Sequence, residues 1–435
     1  MRLHLIDVAP VPTARQSFQT LSLPRLASCT PAGIDVYITD GRVEEIDIDR
    51  SADVVGLTFS CNNALQAYEL AGRARAMGAK VVAGGTHATA MPEEALQHVD
   101  AVLSGEAEGG AWARVLEDLA AGRSEGCYRN QQPPSISGLA APRLDLLRHP
   151  DRYLDFSPME ATRGCPHGCS FCFNSAIHGP GFRTRPVEEV VEDARRSPSR
   201  NLMFMDDNLC GKRAYAKELF EALIPLKKRL FFQTHLLMAE DLELLDLARR
   251  AGAHFAFVGI ESFEEASLAS VEKSWNPLDK YKSLVRRFHD HDIFVSAGLI
   301  LGLDCDGPDI FDKTIHYLNE IEVDNAAVNL LIPYPGTDFY RKMKAEGRLL
   351  TDDYRRYTGF DVVVEPKSMT VAELERGYDR VLKEFYRPGR YARTLLSAGM
   401  WKRAPVYAMA WWREPRRRTF RSLGRSINRR GGDLE

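Results

Sequence analysis

Residues 161–175 read ATRGCPHGCSFCFNS and set Cys165, Cys169 and Cys172 at the spacing C-x3-C-x2-C. Thiolates this close along the chain do not bridge one another comfortably, but they converge readily on a cluster of soft iron. A [4Fe–4S] cluster held by three protein ligands keeps one iron open for another molecule. Gly164 and Gly168 let the loop wrap tightly and Pro166 stiffens it. Phe171, beside the third cysteine, offers an aromatic wall for a flat ring. A zinc site would want a fourth Cys or His at matching spacing, and His167, between the first two cysteines, is poorly placed to supply it.

The whole chain sets the context for this loop. Its 435 residues suit two or three domains, and a net charge of −3 gives no basic field for nucleic acid, so no nucleic-acid partner is expected. Eight cysteines, three of them clustered, fit a reducing compartment better than a disulfide framework. The first ten residues, MRLHLIDVAP, carry Arg2, His4 and Asp7 inside their apolar run and lack a signal-peptide core. No apolar run reaches the roughly 18 residues of a membrane span. A cytoplasmic enzyme is the expectation.

Upstream of the loop, strand-like runs at 3–8, 34–39, 54–59, 80–83 and 101–103 alternate in their later part with helical patterns at 64–77, 92–98 and 109–121. Such alternation makes a doubly wound parallel sheet over residues 1–125, Rossmann-like or flavodoxin-like, with its ligand at the carboxyl ends of the strands. The turns there hold Thr58 and Ser60, then Gly84, Gly85 and His87, then Gly105 and Glu106. Taken alone they suit any nucleotide-binding sheet. Residues 126–158, which include Gln131-Gln132-Pro133-Pro134, read as a linker. From residue 159 to 350 strand–helix units return, with strands expected at 159–162, 202–205, 230–234, 255–259, 294–300 and 326–331. Six units are too few for a closed eight-fold barrel and suit an open (β/α)6 partial TIM barrel, in which chemistry gathers at the carboxyl ends of the strands. The cysteine loop follows the first of them.

The pattern C-x3-C-x-aromatic-C resembles the radical S-adenosylmethionine (SAM) signature. That resemblance implies that the open iron chelates the amino and carboxylate groups of SAM. Upstream, VVAGGTHATAMPEEAL and DAVLSGEAEG look like the cobalamin-binding domain that precedes many radical SAM barrels. The likeness runs from about residue 50 to 390 and names three cofactors: a [4Fe–4S] cluster, SAM and cobalamin. It implies Cys165, Cys169 and Cys172 as metal ligands and Phe171, Asp206, Asp207, Glu261, Ser262 and Gly302 as SAM contacts. Thr58, Ser60, Gly84, Gly85, His87, Gly105 and Glu106 become cobalamin contacts. The string D-x-H-x-x-G, which marks cobalt coordination by histidine, does not occur. His87 is therefore expected to touch the cofactor's tail or a loop, not the metal. The end of the sixth strand reads on into Tyr334-Pro335-Gly336-Thr337, a turn familiar in the family. His235, after the third strand, and Tyr334 are the candidates for substrate contact or proton transfer. Cys210 and Cys305 also follow strand ends, and burial as small apolar side chains is their simpler role.

Residues 351–435 form an expected helical region with a basic tail, in which Trp401, Trp411 and Trp412 lie among arginines such as Arg413, Arg416, Arg417 and Arg418. Such a tail either covers the barrel or lies on an anionic membrane surface. The function implied is methyl transfer to an unactivated carbon of a small molecule, a hydrophobic natural product or lipid among the options, with electrons from a flavodoxin or ferredoxin. Radical cyclisation or rearrangement shares the same domains. Methylthio transfer would need a second cluster, for which Cys29, Cys61 and Cys127 lie in the wrong surroundings.

Overall fold

The computed structural model describes residues 1–9, 17–178, 181–387 and 389. The expected basic tail, from Trp401 to Arg418 and beyond, lies outside the described residues. No helix among the described residues is long and apolar enough to cross a membrane.

Six strands build the first sheet: β1 (Arg2–Asp7), β2 (Asp35–Asp40), β3 (Val54–Thr58), β4 (Lys80–Gly84), β5 (Ala101–Leu103) and β6 (Cys127–Tyr128). All pair in parallel in the order β2-β1-β3-β4-β5-β6. The order reverses at β1, which leaves a crevice at the carboxyl ends of the central strands. Apolar side chains leave β1, β3 and β4 on both faces, so each face carries its own core. One face is covered by the alanine-rich helix Ala64–Ala76, whose small side chains allow close approach. The other is covered by Ala111–Ala120, which buries Trp112, Val115, Leu116 and Leu119 at helical spacing. The helix expected at 92–98 is shortened to Pro92–Ala95, and a further short helix, Gly85–Ala90, stands where a turn was expected; Pro92 starts the second because it cannot continue the first as an interior residue. The sheet also runs past the expected boundary at residue 125, since Cys127–Tyr128 pairs with β5.

After the linker come β7 (Ser157–Met159), β8 (Thr162–Cys165), β9 (Gly181–Thr184), β10 (Asn201–Phe204), β11 (Arg229–Thr234), β12 (Ala253–Glu261), β13 (Phe294–Leu301) and β14 (Asn325–Leu330). The second sheet is parallel throughout, in the order β7-β10-β11-β12-β13-β14, which is the open six-stranded barrel. The first barrel strand ends earlier than expected. At Glu160-Ala161 the chain leaves the sheet, and Thr162–Cys165 pairs antiparallel with Gly181–Thr184 as a separate hairpin. The barrel's main apolar core is closed by the helix Val371–Phe385, whose start is fixed by a capping box between Thr370 and Glu373.

The two units meet at the carboxyl ends of both sheets. Cys61 of the first shares an apolar cluster with Leu303, Leu331, Phe339 and Met343 of the second. Tyr354 donates a hydrogen bond to Glu94 at 3.3 Å.

Candidate active site

Local sequence makes the cluster hairpin. Gly164 has φ +83°, and a Cβ there would lie 2.3 Å from the Gly181 carbonyl oxygen, so only glycine lets β8 and β9 close. Beyond Cys165 the chain turns back on itself, the Cys172 N–H donating to the Cys169 carbonyl at 3.0 Å. The Ser170 N–H donates to the Val271 carbonyl and its own carbonyl accepts from the Phe339 N–H, each at 3.3 Å, which ties the loop to two barrel loops. None of the eight cysteines is disulfide-bonded.

Cys165, Cys169 and Cys172 line one cavity of about 170 Å3 at the ends of β10, β11 and β12. Among the described residues no three thiols, imidazoles or carboxylates are gathered closely enough for a single metal ion. The three cysteines border one space, which suits a multi-iron cluster. Burial pushes the Cys169 thiol up to about 11, so only a cationic partner holds its thiolate at neutral pH, as iron does.

The rest of that cavity is polar and aromatic. Phe171, Asp207 and Glu261 reach it as expected. Glu261 is held at φ +66° and pairs with the buried Lys273 at 2.8 Å. Lys273 lies 5.1 Å over the Trp275 ring, on which His167 stacks at 3.7 Å. His235 meets His167 edge-on at 5.4 Å, and burial pushes it down to about 4, so it is neutral at pH 7. Nε2 of His167 and Nδ1 of His235 are buried without hydrogen-bond partners. Two orphaned polar atoms beside an ion pair fit a charged, amine- and carboxylate-bearing molecule such as SAM.

Three expected SAM contacts do not reach the cavity. Asp206 is turned inward, where its carboxylate accepts from the Ala161 N–H at 3.0 Å and from the Thr162 hydroxyl at 2.7 Å, with a shorter bond from the Thr162 N–H. Of the two, only Asp207 lines the cavity with the cysteines. The Ser262 hydroxyl accepts from the Glu264 N–H at 3.1 Å, serving its own turn. The Gly302 N–H donates to Asp306 at 2.9 Å. Cys210 is fully buried and Cys305 is exposed, so the expectation of burial holds for the first alone. Lys273 and Trp275 escaped the sequence reading because they sit in a loop with no motif.

A second cavity, of about 270 Å3, opens at the crevice of the first sheet. Thr58, Gly84, Gly85, Gly105 and Glu106 all line it. A Cβ on Gly105 would meet nothing within 4 Å, so space is kept at that strand end for a ligand's approach. Arg25, also in the wall, has a buried Nε with no partner, a donor suited to the amides or phosphate of a cobalamin tail. Glu106 is held far below the usual carboxylate range. Burial alone would raise it, but hydrogen bonds from Arg183, His178 and Arg163 prevail.

Ser60, His87 and Tyr334 line a third cavity, about 290 Å3, between the two units, together with Cys61 and Phe173. His87 is buried and shares a hydrogen bond with Glu94 at 3.2 Å, so its role at this turn includes an internal contact the sequence did not reveal. Tyr334 does not line the cluster cavity, and burial pushes its hydroxyl up to about 12, which keeps it protonated.

Comparison with known proteins agrees with this layout. The radical SAM superfamily matches residues 159–318, a B12 binding domain matches residues 12–113, and a domain of unknown function, DUF4070, matches residues 337–432. The chain is 29% identical over 378 residues to bacteriochlorophyllide d C-12(1)-methyltransferase of Chlorobaculum tepidum, covering 84% of this chain and 82% of the relative. It is 26% identical over 302 residues to hopanoid C-2 methylase of Rhodopseudomonas palustris, covering 67% and 57%. In fold it is similar to the radical SAM methyltransferase TsrM of Kitasatospora setae, solved with cobalamin and a [4Fe–4S] cluster, with a TM-score of 0.69 at 14% identity over 97% of this chain and 99% of the other. The chain thus joins a B12 binding domain to a radical SAM domain, the pairing that the cobalamin-binding radical SAM enzymes share.

Proposed function

We propose that this enzyme transfers a methyl group from SAM to an unactivated carbon of a small molecule. The observation that carries the reading is the opposition of two ligand cavities: one bordered by three cysteines at the barrel mouth, the other at the crevice of the first sheet. When bound, the cofactors supply one-electron cleavage of SAM and a carrier for the methyl group. Cys165, Cys169 and Cys172 would hold the cluster. Asp207 would accept from SAM's amino group, Lys273, steered by Glu261, would meet its carboxylate, and Phe171 would pack against it. Thr58, Gly84, Gly85 and Gly105 would hold the cobalamin tail. The third cavity, with Phe173 and Tyr334 in its wall, would admit the substrate between the units and exclude water. Its apolar lining favours a hydrophobic natural product or lipid. His235, neutral and buried, is the residue proposed to hold or pass a proton. A flavodoxin or ferredoxin would supply electrons, a role consistent with a reducing cytoplasm. The arginine- and tryptophan-bearing tail is proposed to touch an anionic membrane surface.

Anaerobic reconstitution with iron, sulfide and cobalamin, followed by incubation with methyl-labelled SAM and candidate substrates, tests this reading. About four irons per chain and label in the product are expected. Deoxyadenosine without label in the product would favour cyclisation or rearrangement instead, and about eight irons would favour methylthio transfer.

A further inference from the structure

The wall between the cluster cavity and the sheet cavity is built by neither unit alone. Arg163, on β8 two residues before Cys165, sends its guanidinium across to the loop after β5. There Nη1 lies 2.7 Å from Glu106, and the fork grips Glu108 at 3.0 and 2.6 Å. Its Nε donates to Glu160 at 2.7 Å. His178, at the end of the helix Phe173–His178, has Nδ1 3.1 Å from Glu106 and Nε2 3.8 Å from Asp207. Asp207 in turn accepts from the Gly164 N–H at 3.3 Å. Glu106, Arg163 and His178 thus face the sheet cavity, while Asp207 faces the cysteines.

This arrangement is more than a seal between domains. Arg163 is only 9% exposed and Glu106 and Glu108 are 8% and 7% exposed, so their ion pairs lie in a medium that screens them weakly. Asn130 fixes the acidic loop by donating to the carbonyls of Glu106 at 2.8 Å and Glu108 at 2.6 Å. The acidic side is therefore a rigid anchor, and Arg163 and Gly164 on the other side lie on the hairpin that carries Cys165. A molecule filling the sheet cavity drives water from the faces of Glu106, Arg163 and His178. That strengthens the pairs and stiffens both the hairpin and the carboxylate of Asp207.

We infer that Arg163 and His178 are positioning residues that couple the two cavities, so that cobalamin in one raises the affinity for SAM in the other. This rests on the cofactor assignment proposed above. Linkage makes the effect reciprocal: SAM must tighten cobalamin by the same factor.

The test uses the full chain with its cluster reconstituted anaerobically, prepared with and without hydroxocobalamin, and measures SAM binding by equilibrium dialysis. SAM is expected to bind on the order of five- to tenfold tighter to the cobalamin-loaded protein. Cobalamin should show an equal gain when SAM is present. In His178→Phe and Glu106→Gln, compared at saturating cobalamin, the factor should fall below about twofold, with iron content retained. A parent protein that binds both molecules with no mutual effect overturns the inference and leaves the cofactor assignment standing. Full coupling in both variants also overturns it. If the variants do not fold, the reciprocal measurement on the parent decides. A parent that takes up neither iron nor cobalamin overturns the cofactor assignment itself.

Discussion

Asp206 and Asp207 are neighbours with opposite environments: the first is bonded to the chain between β7 and β8, the second lines the cavity bordered by the cysteines. Asp207 faces the cysteines. Asp207→Asn should weaken SAM binding about ten- to a hundredfold, the value of one charge-assisted hydrogen bond, and leave iron content unchanged. Equilibrium dialysis beside an iron assay checks both, and an unaltered SAM affinity would count against the assignment. Asp206 instead anchors the chain between β7 and β8, and burial pushes it up to about 7. Because its folded value is raised, the folded protein binds this proton more tightly than the unfolded chain. Its contribution is fully present below about pH 4 and is lost as pH rises through about 7. Asp206→Ala should lower stability by about 1–3 kcal/mol, because it leaves the Thr162 hydroxyl and N–H unpaired. Asp206→Asn keeps an oxygen that accepts from both and carries no buried charge, so it should be tolerated near neutral pH. Either variant should also remove that falling slope between pH 4 and 7 in urea titrations.

At the scale of an element, the cluster hairpin depends on its closest contact. Gly164→Ala would put a left-handed, non-glycine residue against the Gly181 carbonyl oxygen, where the Cβ has only 2.3 Å. The conformation alone costs about 1–2 kcal/mol, and the clash requires β8 and β9 to part. Iron retained after reconstitution should drop severalfold, while cobalamin binding, centred on the first sheet, should be affected far less. Equal loss of both, or of neither, would show that the hairpin does not set the cysteine geometry on its own. Six parallel strands and their outer helices tolerate such a change because the barrel's main apolar core, built around Leu219, Phe232, Val285 and Val295, leaves out the cysteine loop.

For the whole molecule, the two units share an apolar cluster around Cys61, the Glu106–Arg163 network, and the hydrogen bond from Tyr354 to Glu94 across 260 residues. Contacts of this kind make unfolding of one unit costly to the other. A ligand that binds the first unit should then stabilise both, by about 2.7 kcal/mol at a hundredfold excess over its dissociation constant. Differential scanning calorimetry should show a single transition that moves upward with cobalamin. Two transitions, of which only one moves, would mean that the interface is too weak to join them.

Sequence by itself determined the features whose physics is local. The C-x3-C-x2-C spacing predicts the cluster loop because three thiolates within eight residues have few other uses. The alternation of short apolar runs with helical periodicity predicts both parallel sheets, and the turns after Thr58, Gly84 and Leu103 are those that line the cavity of the first sheet. Tertiary structure decided what depends on direction and on distant partners. The side of the strand end that each of Asp206 and Asp207 faces follows from where the chain leaves β10, which composition does not encode. Lys273 and Trp275 from one loop meet His167 from another, and Arg163 and His178 find Glu106 across 57 and 72 residues. A charge in a sequence has no partner until the fold supplies one, so the wall that joins the two cavities exists only in three dimensions.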